Sequence, residues 1–230
     1  MGNPYLDAYR QQWARELGSD PLAPLREQPQ PAGSGGVRHG MARRFSWAVP
    51  DDAALDTIAE HSPRGVVEIG AGGGYWAGML RARGVDVVAY DPDPAGGLWS
   101  GDGRTGWHDG TRWSDVLPGD HTAVQDHPDR TLLLVWPSYS APWTDEVLDL
   151  YEGDTVIYVG AASVTGSDRM HALLGAPCRH VEDDEDCDCL PVSVLFEQVS
   201  VVEIPQWYGI GDRLSVHHRA SVLSTVDVIG

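Results

Sequence analysis

The sequence predicts an α/β fold with a mostly parallel sheet, helices on both faces and an antiparallel pair of strands at its C-terminal end. From about residue 50 to residue 174, short continuous apolar runs alternate with helix-like stretches. Such alternation is typical of buried parallel strands that are joined by helices. Two longer strand-like runs, 192–204 and 213–221, then follow with a glycine-containing turn between them. This order favours parallel strands first and an antiparallel edge last.

Two segments precede the alternating region. Residues 4–17 are predicted to form a short helix, because Tyr5, Tyr9 and Trp13 recur at every fourth position and share one face. The stripe favours a helix docked on the main domain, and a lid over a ligand site is the alternative. Residues 28–36 have the composition of a linker. We therefore expect a helical extension at 1–27, a flexible linker at 28–44 and the main domain at 45–230.

The first unit of the alternation begins with a helix near Pro50. Proline suits the first helical position, and Asp51 and Asp52 favour the positive end of the helix. The elements that follow are read from their hydropathy: a strand at Gly65–Ile69, a glycine cluster, a helix through Met79 and Leu80, and a strand at Val85–Tyr90.

The later elements are predicted in the same way. Residues 93–112 are rich in glycine, aspartate and tryptophan, and a loop of this length is typical of functional or disordered segments. After the loop we expect a weak strand at 113–117, a short helix at 120–126, strands at 131–136 and 154–159, and helices at 145–151 and about 167–174.

The charge balance restricts the partners. The chain has 34 acidic residues against 16 basic ones, all arginine, for a net charge of −18. A polyanion repels phosphate backbones and anionic lipid, so nucleic-acid and membrane-surface proteins are disfavoured. We see no basic leader followed by an apolar run, and no apolar run near the ~20 residues that span a bilayer. We expect a cytoplasmic protein with a small-molecule partner, and the oligomeric state stays open.

The three cysteines do not predict a disulfide scaffold. Cys187 and Cys189 are too close in sequence for an unstrained bridge. With Cys178 and His180 they form C-x-H-x6-C-x-C inside an acidic run, and three thiolates with an imidazole suit tetrahedral zinc. The single-residue spacing differs from the usual two intervening residues, so we favour an exposed acidic insertion and predict no metal site.

Residues 66–76 (VVEIGAGGGYW) carry the strongest functional signal. An apolar strand runs into four glycines within 70–74, and a helix follows. Glycines let the backbone turn sharply and approach a ligand closely, and the helix start offers unpaired N–H groups. A dinucleotide site requires G-x-G-x-x-G directly after the strand. Counted from Gly70, Tyr75 occupies the third glycine position; counted from Gly72, the motif starts two residues late.

Glu68-x-Gly70-x-Gly72-x-Gly74 resembles the first motif of class I S-adenosylmethionine-dependent methyltransferases. In that family the acidic residue helps to hold the methionine end of the cofactor, and the glycine loop passes beneath it. Asp91, 23 residues after Glu68, matches the family's acidic residue that accepts hydrogen bonds from both ribose hydroxyls, a task that suits a carboxylate. The resemblance implies S-adenosylmethionine as cofactor and a Rossmann-like, seven-stranded sheet.

Trp136-Pro137-Ser138-Tyr139 resembles the Asp/Asn-Pro-Pro-Tyr/Phe motif of amine methyltransferases. It comes at the end of the predicted strand 131–136. Trp136 replaces the Asp/Asn whose side chain accepts a hydrogen bond from the target amine, and Ser138 replaces the second proline. The resemblance implies catalytic roles for Trp136, Pro137 and Tyr139.

The likeness covers about residues 45–219 and extends to an uncharacterised bacterial group. It implies further cofactor contacts from Trp47, Tyr75 and Trp76, and core packing is the alternative for the two tryptophans. We therefore expect transfer of a methyl group to a nitrogen or oxygen of a small molecule of secondary metabolism, driven mainly by positioning. The alternatives are a non-catalytic cofactor-binding scaffold and an NAD-dependent oxidoreductase.

A hydroxyl or thiol acceptor would be helped by a base. The sequence offers five candidates for that role, and for each of them a solvated polar residue is the plainer interpretation: His108, Asp109, His171, Tyr208 and Asp212.

Overall fold

A computed structural model describes residues 2–16, 34–94, 109–176, 193–207 and 209–221. The strands are β1 (Val66–Ile69), β2 (Val87–Asp91), β3 (Leu117–Pro118), β4 (Thr131–Val135), β5 (Thr155–Gly160), β6 (Phe196–Glu203) and β7 (Arg213–Arg219). The helices are α1 (Pro4–Glu16), α2 (Ser34–Arg44), α3 (Asp52–Glu60), α4 (Tyr75–Arg81), α5 (Trp143–Leu150) and α6 (Asp168–Leu173), with a 3₁₀ helix at His121–Asp126.

The seven strands form one sheet in the order β3-β2-β1-β4-β5-β7-β6. Neighbouring strands from β3 to β5 are parallel, and β7 is antiparallel to both β5 and β6. The predicted fold class is confirmed: a Rossmann-like, mostly parallel sheet with an antiparallel C-terminal pair.

Helices pack on both faces of this sheet. Alternate residues of a strand point to opposite faces, so Val66 belongs to the apolar cluster beneath α1, α3 and α4. Its neighbour Val67 belongs to the second cluster, beneath α5 and α6. All four residues of β1 are buried, which is why this strand reads as a continuous apolar run except at Glu68.

The N-terminal helix α1 is docked on the main domain. Tyr5 and Tyr9 are fully buried. The Tyr9 hydroxyl donates to the Gln206 carbonyl at 2.7 Å, and Trp207 Nε1 donates to the Tyr5 hydroxyl at 3.2 Å. The two tyrosines of the stripe thus pack on the main domain, and the Trp13 side chain lies outside the described residues.

The structure differs from the linker prediction at residues 34–44, which form α2. Three glycines give this segment weak helix propensity, but Val37 and Met41 pack against the main apolar cluster, and Ala42 is buried. Tertiary burial therefore outweighs local propensity here. Residues 28–33 lie outside the described residues, as do the loop 95–108 and the Cys178, His180, Cys187 and Cys189 cluster.

None of the helices in the described part of the chain is long and apolar enough to cross a membrane.

Candidate functional site

A cavity of about 280 Å³ lies at the carboxyl ends of β1, β2 and β4. The chain continues from β1 to β2 and β3 on one side of the sheet, then returns to β4 and β5 on the other. The strand order therefore reverses beside β1, and open α/β sheets bind ligands at such a switch point. The cavity wall includes nine of the eleven predicted site residues: Trp47, Glu68, Gly70, Gly72, Tyr75, Trp76, Asp91, Trp136 and Pro137.

Gly72 gives the cavity an open floor. Its φ is +54°, a conformation that L side chains rarely adopt, and a Cβ built there meets no atom within 4 Å. Because Gly72 lines the cavity, any side chain at this position would occupy ligand space. Glycine at this position therefore keeps the cavity open and is not needed to avoid a clash with other parts of the protein.

Gly74 has a different role. It is the N-cap of α4 with a φ of +74°, and a Cβ there would approach Val116 Cγ2 to 2.7 Å. The backbone N–H of Trp113 donates to the Gly73 carbonyl at 2.9 Å. The segment 111–116 thus covers the start of α4, and Gly74 lies outside the cavity wall.

Asp91 ends β2 with both carboxylate oxygens at the loop. Oδ2 accepts a hydrogen bond from the backbone N–H of Gly72, and Oδ1 accepts one from the backbone N–H of Asp93, both at 2.8 Å. The two bonds fix the carboxylate. Each oxygen retains lone-pair capacity toward the cavity, so Asp91 can accept further hydrogen bonds from two hydroxyls.

Glu68 is a buried acid in the cavity wall. It is 1% exposed, and its Oε2 finds no hydrogen-bond partner in the described part of the chain. Burial raises the pKa of Glu68 to about 8, against the opposing effects of Arg81 and of the Ala77 backbone N–H. An unpartnered buried acid is costly for the fold, and a cation in the cavity would favour its ionised form.

A stacked pair of tryptophans forms another part of the wall. The Trp47 and Trp136 rings lie 5.1 Å apart and 19° from parallel. Trp136 directly follows β4 with a φ of +51°, and its Nε1 donates to Asp212 Oδ1 at 2.7 Å. The pair presents aromatic surface to a ligand, and aromatic faces attract cations and flat rings.

The other residues of the Trp136-Pro137-Ser138-Tyr139 motif differ in their position relative to the cavity. Pro137 lines the cavity, and its carbonyl accepts a hydrogen bond from the Gly166 backbone N–H at 3.0 Å. Tyr139 is 62% exposed and lies outside the cavity wall. The structure therefore does not bring Tyr139 to the site: the backbone turns directly after β4, where Trp136 has positive φ, and three residues later Tyr139 is exposed to solvent.

Tyr75 and Trp76 contribute only the surface of their rings to the cavity wall. The Tyr75 hydroxyl accepts from the Tyr5 backbone N–H and donates to Asn3 Oδ1. Trp76 is 1% exposed, and its Nε1 donates to Ser46 Oγ at 2.9 Å. Both polar groups are held by the protein, so packing accounts for most of each side chain.

Several wall residues were not predicted. Phe45 and Trp143 add aromatic surface, Asp120 and His121 follow β3, and Arg43 and Arg44 end α2. The signal for Asp120 and His121 is their place after a strand that is parallel to β2. His121 is paired with Glu146 at 2.9 Å.

The candidate bases are dispersed. His108 and Tyr208 lie outside the described residues, and Asp109 is exposed. His171 is buried on α6 with its Nε2 2.8 Å from the Thr165 carbonyl. Asp212 is fully buried against Trp136. Within the described ranges, no group of three or more His, Cys, Asp or Glu could hold a metal ion.

No family model matches the sequence, and no curated protein matches it. Solved structures do match. The crystal structure of a mutant of MtNAS is 21% identical, over 67% of this chain and 52% of that one, with a TM-score of 0.33. The present chain thus spans about half the length of MtNAS.

Two other structures match over most of both chains. Magnesium protoporphyrin IX methyltransferase from Synechocystis PCC 6803, with bound SAM, is 12% identical over 96% of this chain and 99% of that one, with a TM-score of 0.44. The 1,6-didemethyltoxoflavin-N1-methyltransferase of Burkholderia thailandensis is 10% identical over 95% and 86%, with a TM-score of 0.43. At such low identity, these likenesses concern the fold alone.

Proposed function

We propose that the protein is an S-adenosylmethionine-dependent methyltransferase that acts on a nitrogen or oxygen of a small molecule. One arrangement carries the proposal. Glu68 and Asp91, two acids on neighbouring strands, flank the open floor at Gly72, and the Trp47–Trp136 pair forms a further wall of the same cavity. A ligand that combines a cation, a sugar and a flat base fits this combination of groups.

The residues present fit that cofactor in three respects. The unpartnered Glu68 Oε2 suits its cationic methionine end, the free capacity of Asp91 suits two ribose hydroxyls, and the space above Gly72 is what a Cβ would fill. The volume of about 280 Å³ is near the lower end of the ~300–1,000 Å³ found for ligand pockets.

When bound, S-adenosylmethionine supplies a methyl group on a permanently cationic sulfur, so no acid is needed for the sulfur to leave. The task of the chain is then to orient an acceptor in line with the methyl–sulfur bond and to exclude water. Orientation of this kind can contribute up to ~7–11 kcal/mol. Trp136 and Pro137, fixed by Asp212 and by the Gly166 backbone, are the residues we assign to the acceptor side.

Two observations make an NAD-dependent oxidoreductase the weaker alternative. Asp91 would suit an NAD ribose equally well, but a pyrophosphate needs the start of α4. That start is covered by the segment 111–116: the Trp113 backbone N–H donates to the Gly73 carbonyl, and a Cβ at Gly74 would clash with Val116. Glu68, in its ionised form, would also repel a pyrophosphate.

Isothermal titration calorimetry tests the proposal. We expect S-adenosylmethionine and S-adenosylhomocysteine to bind with micromolar dissociation constants and NAD to give no heat of binding. Binding of NAD, or of none of the three, would overturn the proposal. A scaffold without activity would bind both sulfur compounds but never convert one to the other, over a panel of amines, phenols and carboxylic acids. The cytoplasmic location and the role in secondary metabolism stay predictions.

A further inference from the structure

The half-buried Arg38 and the fully buried Asp212, two groups of opposite charge, lie beside the tryptophan pair, and both have polar atoms without a partner. Arg38, on α2, has Nε and Nη2 buried, and Asp212, before β7, has Oδ2 buried. None of the three atoms finds a hydrogen-bond partner in the described ranges. Leaving a charged donor or acceptor unpaired in the interior costs more than the ~1–3 kcal/mol of a neutral one. A ligand that forms hydrogen bonds with these atoms would remove this cost.

The two unpartnered nitrogens of Arg38 form one edge of its guanidinium. The Nε–H and Nη2–H bonds on this edge point the same way, and the pair matches the two oxygens of a carboxylate. Other buried or half-buried arginines are engaged: Arg81 with Ser114, Arg130 with Asp86 and Arg219 with the Tyr151 carbonyl. Arg38 instead has an unpartnered carboxylate-binding edge, in a chain of net charge −18.

Arg38 lies against the wall of the cavity. Its guanidinium carbon is 4.7 Å from the ring centroids of both Trp47 and Trp136, and both rings line the cavity. An acceptor ring that stacks on Trp136 would carry a substituent toward Arg38. The wall and the guanidinium therefore point to one kind of molecule, an aromatic ring that bears a carboxyl group.

We propose that Arg38 and Asp212 form a subsite for the carboxyl group of the methyl acceptor, and that the acceptor is an aromatic carboxylic acid. This inference rests on the proposed function, because it places the acceptor ring beside the cofactor. The carboxylate is the handle of the acceptor and is not itself methylated. The methyl group goes to a hydroxyl or amino substituent on the ring: the new bond from oxygen or nitrogen to the methyl carbon replaces the methyl–sulfur bond, whose electron pair stays on sulfur, and the acceptor loses its proton to water.

Asp212 can join Arg38 in binding a carboxylate when its own side chain is protonated. Burial raises its pKa to about 7, against the opposing effects of the Trp136 indole and of Arg38. Among the described residues, the groups that face Asp212 are Arg38 from α2, Tyr5 from α1 and Trp136 after β4. Protonated Asp212 can donate from Oδ2 to a carboxylate, whereas ionised Asp212 repels it. Affinity for the acceptor should therefore fall as the pH rises through 7.

Neither Arg38 nor Asp212 lines the cavity wall, so the carboxylate would reach the guanidinium edge through a rotation of the Trp47 ring. Trp47 is half-buried in the short segment between α2 and α3 and lines the cavity. Side-chain rotations of this kind are common when ligands bind.

The test is a calorimetric titration of the protein saturated with S-adenosylhomocysteine. The probes are 4-hydroxybenzoate and its neutral counterpart 4-hydroxybenzamide. We expect the carboxylate to bind at least about tenfold more tightly than the amide, as a charge-assisted pair of hydrogen bonds allows. Arg38→Met should abolish this preference. Arg169→Met, which removes an equal charge from the surface of α6, should leave it unchanged.

A second variant tests Asp212. Asp212→Asn can still accept from the Trp136 indole and donate from Nδ2 at every pH, so it should keep the preference and remove its pH dependence. Equal affinity for both probes, or a preference that survives Arg38→Met, would overturn the subsite. The affinity for S-adenosylhomocysteine is measured first and separately. If it is absent, the proposed function fails, and the same probes on the unliganded protein still test Arg38.

Discussion

The indole Nε1 of Trp136 and the Asp212 carboxylate are joined by a hydrogen bond of 2.7 Å across 76 residues of sequence. Trp136 follows β4 and Asp212 precedes β7, so the bond links two elements on either side of β5. It fixes a ring of the cavity wall and partners one oxygen of a fully buried acid.

This bond should contribute to stability in a pH-dependent way. Trp136→Phe keeps an aromatic ring but removes the indole N–H that donates to Asp212. The loss of this hydrogen bond destabilises the protein more when Asp212 is ionised than when it is protonated. We expect the free energy of unfolding to fall by about 1–3 kcal/mol at pH 8, and by less at pH 6, because the pKa of Asp212 is about 7. Urea denaturation at both values measures the difference. Trp113→Phe removes a donor to the uncharged Arg44 backbone carbonyl, so its destabilisation should be the same at both pH values. If the destabilisation by the two variants depended on pH in the same way, the pH dependence could not be assigned to Asp212.

Asp91 should determine cofactor affinity. Asp91→Ala removes an acceptor for the ribose hydroxyls, and we expect at least about a 100-fold loss of S-adenosylhomocysteine affinity in calorimetry. Asp91→Asn retains an acceptor for the Gly72 N–H and so keeps the shape of the loop. A loss of affinity in this variant is then due to the altered contact with the ribose. The control is Asp154→Ala, which removes an exposed carboxylate beside Arg64. Unchanged binding by both Asp91 variants would rule out the ribose contact.

Gly72 and Gly84 form a matched pair for testing the cavity floor. Both have positive φ and open space at the Cβ position, but Gly72 lines the cavity and Gly84 lies in the turn after α4. Alanine at either position should cost similar stability, about 1 kcal/mol. Calorimetry should show that Gly72→Ala loses S-adenosylhomocysteine binding while Gly84→Ala keeps it. An equal effect of the two substitutions would mean that the ligand does not pass over Gly72.

Binding of S-adenosylmethionine should release protons from Glu68. The pKa of this acid is about 8 in the unliganded protein, so it is largely protonated at pH 7, and a nearby cation favours ionisation. Affinity should therefore increase as the pH rises from 6 to 8. Titrations in buffers of different ionisation enthalpy measure the protons released. Glu68→Gln should release fewer protons; proton uptake by the wild type would have the wrong sign.

The sequence predicted the side of the site that is contiguous along the chain. β1, the glycine loop, α4 and β2 follow each other within residues 66–91, so hydropathy and glycine spacing define them together. The strand before Trp136 was predicted equally well, because β4 is a continuous apolar run.

Long-range packing determines the parts that were not predicted. Helix α2 forms in a glycine-containing segment because its apolar residues find a core, and that packing brings Arg38 to the tryptophan pair. Asp212 was considered as a base, but its bond to Trp136 depends on the placement of β7. Tyr139 matched a motif by sequence position, but the loop after β4 places it at the solvent-exposed surface instead.

A crystal structure of the protein with S-adenosylhomocysteine tests the account most directly. We expect density over Gly72, with both ribose hydroxyls within hydrogen-bond distance of Asp91 and the amino group of the methionine end directed to Glu68. Density elsewhere, or a ribose that does not contact Asp91, would contradict the proposed cofactor site.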